Sequence, residues 1–404
     1  MFSSMLQAKP GAATPADDSA DPRAIAARLA AAFASTAVER DRAGGHAAHE
    51  RELIRESGLL TLSIPTQYGG QGALWQTVYG VVRILAQADS ALAHLFAFHH
   101  LQMATIGLFG NELQQRTLLT DTVRRRLFWG NALNPTDKRT RATAAAAGWT
   151  IDGIKSYSSG SVGSDWLTVS AWDESASAPL IAVLPTVQPG VRVEADWDAF
   201  GQRQTDSGNV HFDSVHVPFA HVLQTPGQPP TPQASLRSQV AQLVLVNLYL
   251  GIAEGAFEAA RSYTREKARP WSASGVDAAA DDPFNQHRYG QLWVTLRPAQ
   301  VLADHAGALL EQNLAKGASL SAQERGEVAV AVAEAKVLAH RAALEISSQM
   351  FELNGASSTS RRFGFDRYWR NARVHTLYDP IDYKLRDLGR YALTGRLPDP
   401  TPYS

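Results

Sequence analysis

Trp149-Thr150-Ile151-Asp152-Gly153 is a short aromatic and β-branched run closed by Asp-Gly, and that composition suits a pleated, half-buried strand. Trp166-Leu167-Thr168-Val169-Ser170, Leu180-Ile181-Ala182-Val183-Leu184 and Val210-His211-Phe212 repeat the texture, separated by Gly, Asp and Pro. Together they predict a small antiparallel β domain over residues 126–225. Upstream the pattern is helical. Asp21-Pro22 offers an N-cap and a first-turn proline before the amphipathic run Ala24 to Phe33. Breaks follow at Ser57-Gly58 and at Tyr68 to Gly72, and Val78, Val81, Val82, Ile84 and Leu85 resume helical spacing. Residues 21–125 therefore read as a helical domain. Downstream of the proline-rich stretch Pro226 to Pro232, long helical patterns cover Ala234 to Glu266, Asn285 to Leu314 and Ser321 to Phe351, the last opened by a Ser321/Glu324 capping box. Frequent alanine permits close helix approach and predicts a C-terminal four-helix bundle over residues 233–396. Residues 1–20 read as a disordered tail and residues 397–404 as a second tail. The fold class is mostly α with a central β domain.

At 404 residues and 45% hydrophobic content, the chain can bury a sizeable core. Its 38 basic and 39 acidic residues leave a net charge of −1, so no global field favours nucleic acid or an anionic membrane. The absence of cysteine removes disulfides, thiolate nucleophiles and Cys-ligated metal centres. No metal site is expected, and redox chemistry has to come from a bound cofactor. The first twenty residues lack a basic segment followed by an apolar one. The most apolar run, Val240 to Ala253, is interrupted by Gln242, Asn247 and Gly251 and falls short of the roughly 18 residues a spanning helix needs. A soluble cytoplasmic protein is expected. No G-x-G-x-x-G follows a strand and no G-x-x-x-x-G-K-[ST] occurs, so neither a Rossmann site nor a P-loop is supported.

Several long segments carry a resemblance beyond composition. Ile64 to Gly72 (IPTQYGGQG) resembles the helix-connecting loop of acyl-CoA dehydrogenases, and Gly153 to Gly160 (GIKSYSSG) resembles their strand and turn. Trp129 to Pro135 (WGNALNP), Trp197 to Gly208 (WDAFGQRQTDSG), Arg269-Pro270-Trp271 and Tyr368 to Pro380 (YWRNARVHTLYDP) are similar to the flavin-dependent monooxygenase branch of the dibenzothiophene type. The resemblance implies an acyl-CoA dehydrogenase-like fold and a homotetramer. FMN would lie between the β domain and the bundle, partly completed by a neighbouring subunit. A separate NAD(P)H:flavin reductase would supply the reduced cofactor. Reaction with O2 would give a flavin C4a-hydroperoxide that oxygenates a small apolar substrate, organosulfur by the nearest resemblance.

Such chemistry needs water excluded, a substrate placed over the flavin and a proton handled near the reacting oxygen. On the matching motifs, Ser159 and Ser207 become hydroxyl partners of the cofactor, although Ser at a turn ordinarily satisfies backbone. Asn131, ahead of Asn134, can donate to and accept from a flavin edge. Tyr157 and Trp197 can wall the ring. His99, ahead of His100, interrupts an apolar helix that carries an active-site His in the family. His375 is the stronger imidazole, placed to donate near the flavin. Three residues later stands Tyr378, where the branch typically has a second His, and a phenol cannot cycle protons at neutral pH. Arg269, with Arg370 and Arg373, is the candidate set for the FMN phosphate. Two rivals remain: an FAD-dependent acyl-CoA dehydrogenase with Asp379 as base, in a segment that lacks the family's Glu and Gly, and a flavin-binding paralogue without turnover.

Overall fold

The Asp21 carboxylate accepts from the Arg23 amide and opens α1 (Pro22–Ala43), as its sequence predicts. The computed structural model describes residues 21–404 apart from Pro135; the expected tail over residues 1–20 lies outside the described residues. Next come α2 (Ala48–Glu56), α3 (Trp75–Ala88), α4 (Ser90–Phe109) and α5 (Glu112–Arg125). Gly58, at φ 77°, supplies the break after α2. Helix α4 is capped by Asp89, whose carboxylate accepts from the Ala91 and Leu92 amides. It is buried around most of its circumference, as a helix apolar on all sides should be.

The β region holds β1 (Trp129–Ala132), β2 (Arg141–Ala145), β3 (Gly148–Lys155), β4 (Trp166–Asp173), β5 (Ala178–Pro185), β6 (Val191–Val193), β7 (Val210–Pro218) and β8 (Val222–Gln224). Their order is β6-β7-β3-β2-β4-β5-β8, with β1 beside β4. Pairing is antiparallel along most of this path, but β1 runs parallel to β4, and β2 meets β4 through a single parallel pair, Arg141 opposite Trp172. The departure reflects a contact between elements distant in the chain. β1 enters from α5 instead of through a hairpin, and its first amide, Trp129 N, is held 3.2 Å from His99 Nδ1 on α4.

Three long helices form the C-terminal half: α6 (Pro232–Glu266), α7 (Pro283–Leu314) and α8 (Ala322–Asn354). The Ser321/Glu324 capping box is formed as expected. The short helices α9 (Asp366–His375) and α10 (Ile381–Thr394) pack on α8 and complete the bundle. The two helical stretches share one core, in which Phe33, Val82, Leu85 and Phe96 meet Leu243, Leu250, Val332, Ile346 and Met350. The sheet has its own core around Ile151, Val169 and Leu184. A third cluster, including Met103, Trp129, Ile181 and Leu223, joins α4 to the sheet. By length and composition α6 could cross a membrane, yet 94% of its most apolar window is buried inside the protein.

The contact between α3 and α6 is closest at Gly255, where a Cβ would lie 2.3 Å from the Gln87 carbonyl. Gly255→Ala is expected to lower stability by about 1–3 kcal/mol through this overlap. Gly389→Ala, at a helical position with nothing within 4 Å, should instead raise it by about 0.5–1 kcal/mol. Urea unfolding of the two variants checks the opposite signs.

Candidate active site

His94, Phe98, Gln102 and Thr105 fall on one face of α4, because positions four, eight and eleven residues on return to the same side of a helix. His94 stacks on Phe98, with ring centroids 3.8 Å apart, and its Nδ1 lies 3.1 Å from His375 Nε2 at the end of α9. The two imidazoles form a buried pair. Desolvation pulls the His375 pKa down to about 3 and that of His94 well below its ordinary value, each reinforced by a neighbouring cation or imidazole. Both rings are therefore neutral near pH 7. The Tyr249 hydroxyl on α6 donates to the His375 carbonyl at 2.9 Å and fixes the end of α9.

One turn beyond Phe98, Gln102 Nε2 donates to the Phe98 carbonyl at 2.8 Å and to Asn131 Oδ1 at 3.2 Å. Asn131 sits in β1, and its backbone N–H donates to the Ser159 carbonyl at 2.8 Å. The Ser159 and Ser207 hydroxyls are 2.9 Å apart, and Ser207 also donates to Thr205 Oγ1 at 2.8 Å. The loop carrying Trp197 to Gly208 is pinned to the helices. Gln202 N donates to Asn371 Oδ1 at 2.7 Å, and Gln202 Nε2 donates to Ser90 Oγ at 3.0 Å. At Gly201 a Cβ would strike the Arg370 carbonyl at 2.3 Å. Below the loop, Asp206 is gripped by Arg51 at 3.1 Å and His46 at 2.7 Å. Tyr157, 67% exposed at φ 57°, presents its ring edge-on to Trp197, whose Nε1 donates to the Gln202 carbonyl at 2.9 Å.

The structure thus draws Asn131, Ser159, Ser207 and His375 toward α4, with Tyr157 and Trp197 flanking the serine loop. It corrects other assignments. His99 is not the site histidine: its Nε2 bonds the Leu60 carbonyl at 2.8 Å and its Nδ1 accepts from Trp129 N, so both nitrogens hold backbone. His100 is likewise committed, to the Leu59 carbonyl and Ser63. The site histidine missed in the sequence is His94, and the i, i+4, i+8 spacing with Phe98 and Gln102 is the signal that could have found it; His99 lies about 140° further round the helix. Arg370 is no phosphate ligand here, because its guanidinium bonds Asp41, Asp366 and the Phe200 carbonyl. Asn134 accepts from Thr136 Oγ1, while its carbonyl, with that of Asp137, holds the buried Lys155 ammonium, which is a loop-fastening role.

Arg269 follows the far end of α6 and is exposed. Seventeen helical residues from Tyr249 to Glu266 put it roughly 25 Å along the axis from the His375 contact, outside this chain's own cleft. Arg373 is half-buried near His340, with no carboxylate bonded to it among the described residues. Tyr378 is 46% exposed and packs edge-on against Tyr403. Asp379 is tied to Lys336 at 2.9 Å and to Gln242 at 3.2 Å, both buried, so the proposed dehydrogenase base is a structural ion-pair member. Two surface recesses of about 430 and 480 Å³, one along Tyr79 and Arg83 and one along Phe257 and Trp293, contain none of the clustered groups.

Two buried atoms in the cluster, His94 Nε2 and Gln102 Oε1, lack a protein partner. Unpartnered buried polar atoms are costly unless a ligand meets them. Together with two hydroxyls, a carboxamide and a flanking aromatic pair, they fit the polar edge and flat face of a flavin.

Comparison with known proteins places the fold in a family. Residues 19–126 match the acyl-CoA dehydrogenase N-terminal domain, and residues 243–383 match the acyl-CoA dehydrogenase C-terminal domain. A probable FMNH2-dependent monooxygenase, SfnC of Pseudomonas putida, is 46% identical over 94% of this chain and 97% of its own. Dibenzothiophene monooxygenase of Rhodococcus erythropolis is 43% identical over 94% of this chain and 95% of its own. Among solved structures, methanesulfinate monooxygenase MsuC of Pseudomonas fluorescens superposes with a TM-score of 0.93 at 48% identity, covering 95% of this chain and 99% of that one. TdsC of Paenibacillus sp. A11-2 with FMN and indole gives 0.91 at 39% identity, covering 95% and 100%. The chain belongs to the acyl-CoA dehydrogenase family. Within it, the chain falls in the branch of flavin-dependent monooxygenases.

The buried imidazoles set an acid limit on stability. The unfolded chain takes up protons at the ordinary histidine pKa near 6.5, whereas folded His375 does so only at about 3 and His99 at about 4. Between those values the unfolded state binds more protons, so stability falls as pH falls. Urea midpoints should be flat above pH 7 and decline steadily from pH 6.5 to 5, before carboxylates titrate; equal midpoints at pH 7 and pH 5 would contradict the neutral-histidine assignment.

Proposed function

We propose that the cleft between α4, the ends of β1 and β3, the Trp197–Gly208 loop and α9 binds reduced FMN, and that the chain oxygenates a small organosulfur compound. The observation that carries this is the neutral His94–His375 pair, with an unpartnered Nε2, beside the Gln102–Asn131 and Ser159–Ser207 pairs. Bound reduced FMN supplies two electrons and the ring on which O2 is activated. The chain's residues supply orientation and protons. The Ser159 and Ser207 hydroxyls and the Asn131 amide are placed to bond the ring's polar edge, and Tyr157 and Trp197 shield it from water. A neutral imidazole can donate from one nitrogen and accept at the other, so the pair can pass a proton at His94 Nε2 without carrying charge into an apolar site. Tyr378, on the turn after His375, orients without cycling protons. Phosphate binding falls to Arg373, or to Arg269 of a neighbouring copy.

The organosulfur reading rests on the relatives, which are described as acting on dibenzothiophene and methanesulfinate. Because SfnC is described as FMNH2-dependent, we assign reductant supply to a separate NAD(P)H:flavin reductase, and the protein to the cytoplasm, where such reductants are abundant. His375→Ala should keep flavin affinity within a few-fold while diverting turnover from oxygenated product to hydrogen peroxide. Peroxide and product yields after mixing FMNH2-loaded protein with O2 test this, and an unchanged product-to-peroxide ratio would remove His375 from the mechanism.

We also read the chain as a homotetramer. Trp293, Val294 and Val301 recur at helical spacing on α7 and are 51%, 69% and 56% exposed, flanking Arg297, an aromatic, aliphatic and arginine combination common at protein interfaces. Val301→Glu should lower the mass seen by light scattering. A monomer in the unmutated protein, or an unchanged mass in the variant, would count against α7 as an assembly face.

A further inference from the structure

Arg237 on α6, half-buried like Arg373, lacks the carboxylate partner that several guanidiniums of the fold have. Arg51 is paired with Asp206, Arg83 with Asp304 and Arg370 with Asp41. Arg325 is committed to Ser235, Ser238 and the Ser404 carbonyl. Arg237 directs its Nε to Thr105 Oγ1 at 3.1 Å, and among the described residues no carboxylate bonds it. The Tyr378 phenol is the neighbour it senses electrostatically, and desolvation lowers its pKa, though a guanidinium stays charged. Thr105 in turn lies on the α4 face that carries His94, Phe98 and Gln102, with the unpartnered Gln102 Oε1 one turn away. Around the guanidinium, Tyr378 packs against Tyr403, whose hydroxyl lies 3.4 Å from Thr136 Oγ1 and whose carbonyl accepts from Lys384. The C-terminal segment therefore spans from the bundle to the loop after β1, beside this charge.

A desolvated cation without a countercharge is costly to fold around, and sites that keep one commonly use it for an anion. We propose that Arg237, held in place by Thr105, binds the oxyanion of the substrate, and that the substrate is a small alkanesulfinate. This rests on the monooxygenase reading and names its substrate class. The reaction balances as R–SO2⁻ + O2 + FMNH2 giving R–SO3⁻ + H2O + FMN. One oxygen atom forms a new S–O bond, the other leaves as water, and the flavin supplies the electron pair and two hydrogens. Two planar guanidinium N–H groups match two sulfinate oxygens, leaving the sulfur lone pair free to meet the transferred oxygen.

The test uses the full chain with FMNH2 and O2, methanesulfinate and the neutral thioether tetrahydrothiophene as paired probes, and the variants Arg237→Gln and Arg237→Lys. The ratio of kcat/KM for methanesulfinate to that for tetrahydrothiophene should fall by at least about 30-fold in Arg237→Gln, the loss typical of truncating a buried charge partner. Arg237→Lys should recover part of it. Methanesulfonate, the unreactive product, should raise the Tm of the flavin-free protein and do so less in Arg237→Gln. A merely structural arginine would leave the ratio unmoved whatever the change in ligand-free Tm, and an unmoved ratio overturns the proposal. So would a loss of FMN affinity in the variant with an unchanged substrate ratio, which would make Arg237 a phosphate ligand. If the unmutated protein oxygenates tetrahydrothiophene but not methanesulfinate, this inference fails while the monooxygenase reading stands. If FMNH2 reoxidation yields peroxide alone with both, the reading itself fails and carries the inference with it.

Discussion

Helix α4 is enclosed on nearly all sides, so every polar group it carries has to find a partner within the protein. That requirement organises the molecule. His99 and His100 meet it with backbone carbonyls of the Leu59–Leu60 segment, and His99 also receives the first amide of β1, which is how the sheet is docked onto the helices. Thr105 meets it with the Leu101 carbonyl and Arg237, whereas His94 and Gln102 meet it only in part, on the face turned toward the cleft. The groups left over define where a ligand belongs. Scaffold and candidate site are thus two faces of one helix.

What the sequence discloses depends on how local the determining interaction is. Asp21, Ser321 and Gly58 act within a few residues of themselves, so helix starts and breaks could be read directly. Strands β3, β4, β5 and β7 also announced themselves by aromatic and β-branched composition, whereas the alanine-rich β2 did not, and long ordered motifs identified the family. Pairing direction was less accessible, because β1 is set parallel to β4 by its contact with α4, far away in sequence. Roles of charged residues were hardest. Arg370 carries a family motif but is held by Asp41 from α1, more than three hundred residues earlier. Asp379 looks like a shortened catalytic base, but its function is decided by Lys336 on α8. Choosing His94 over His99 needed only the helical period, yet a doublet of histidines drew attention from the lone one.

The Lys336–Asp379 pair also explains how the fold can lose the dehydrogenase base without losing that segment's architecture. Lys336 bonds both Asp379 and Gln242 and lies near the Tyr249 ring, and Tyr249 in turn holds the last carbonyl of α9. A carboxylate after α9 is therefore retained for positioning. The imidazole at the end of α9 is then held within hydrogen-bond distance of His94 on α4, the geometry on which the proposed proton relay rests.

The sulfur content of the chain suits this chemistry in another way. Uncoupled turnover in such a cleft would liberate an oxidant within the fold, where thiols and thioethers are the first casualties. This chain has no thiol to lose, and Met103 and Met350 are shut inside the cores, 4% and 0% exposed. The described fold consequently offers its own by-product almost no soft target, and self-inactivation would have to proceed through slower attack on Trp197, Tyr157 or the imidazoles that line the cleft.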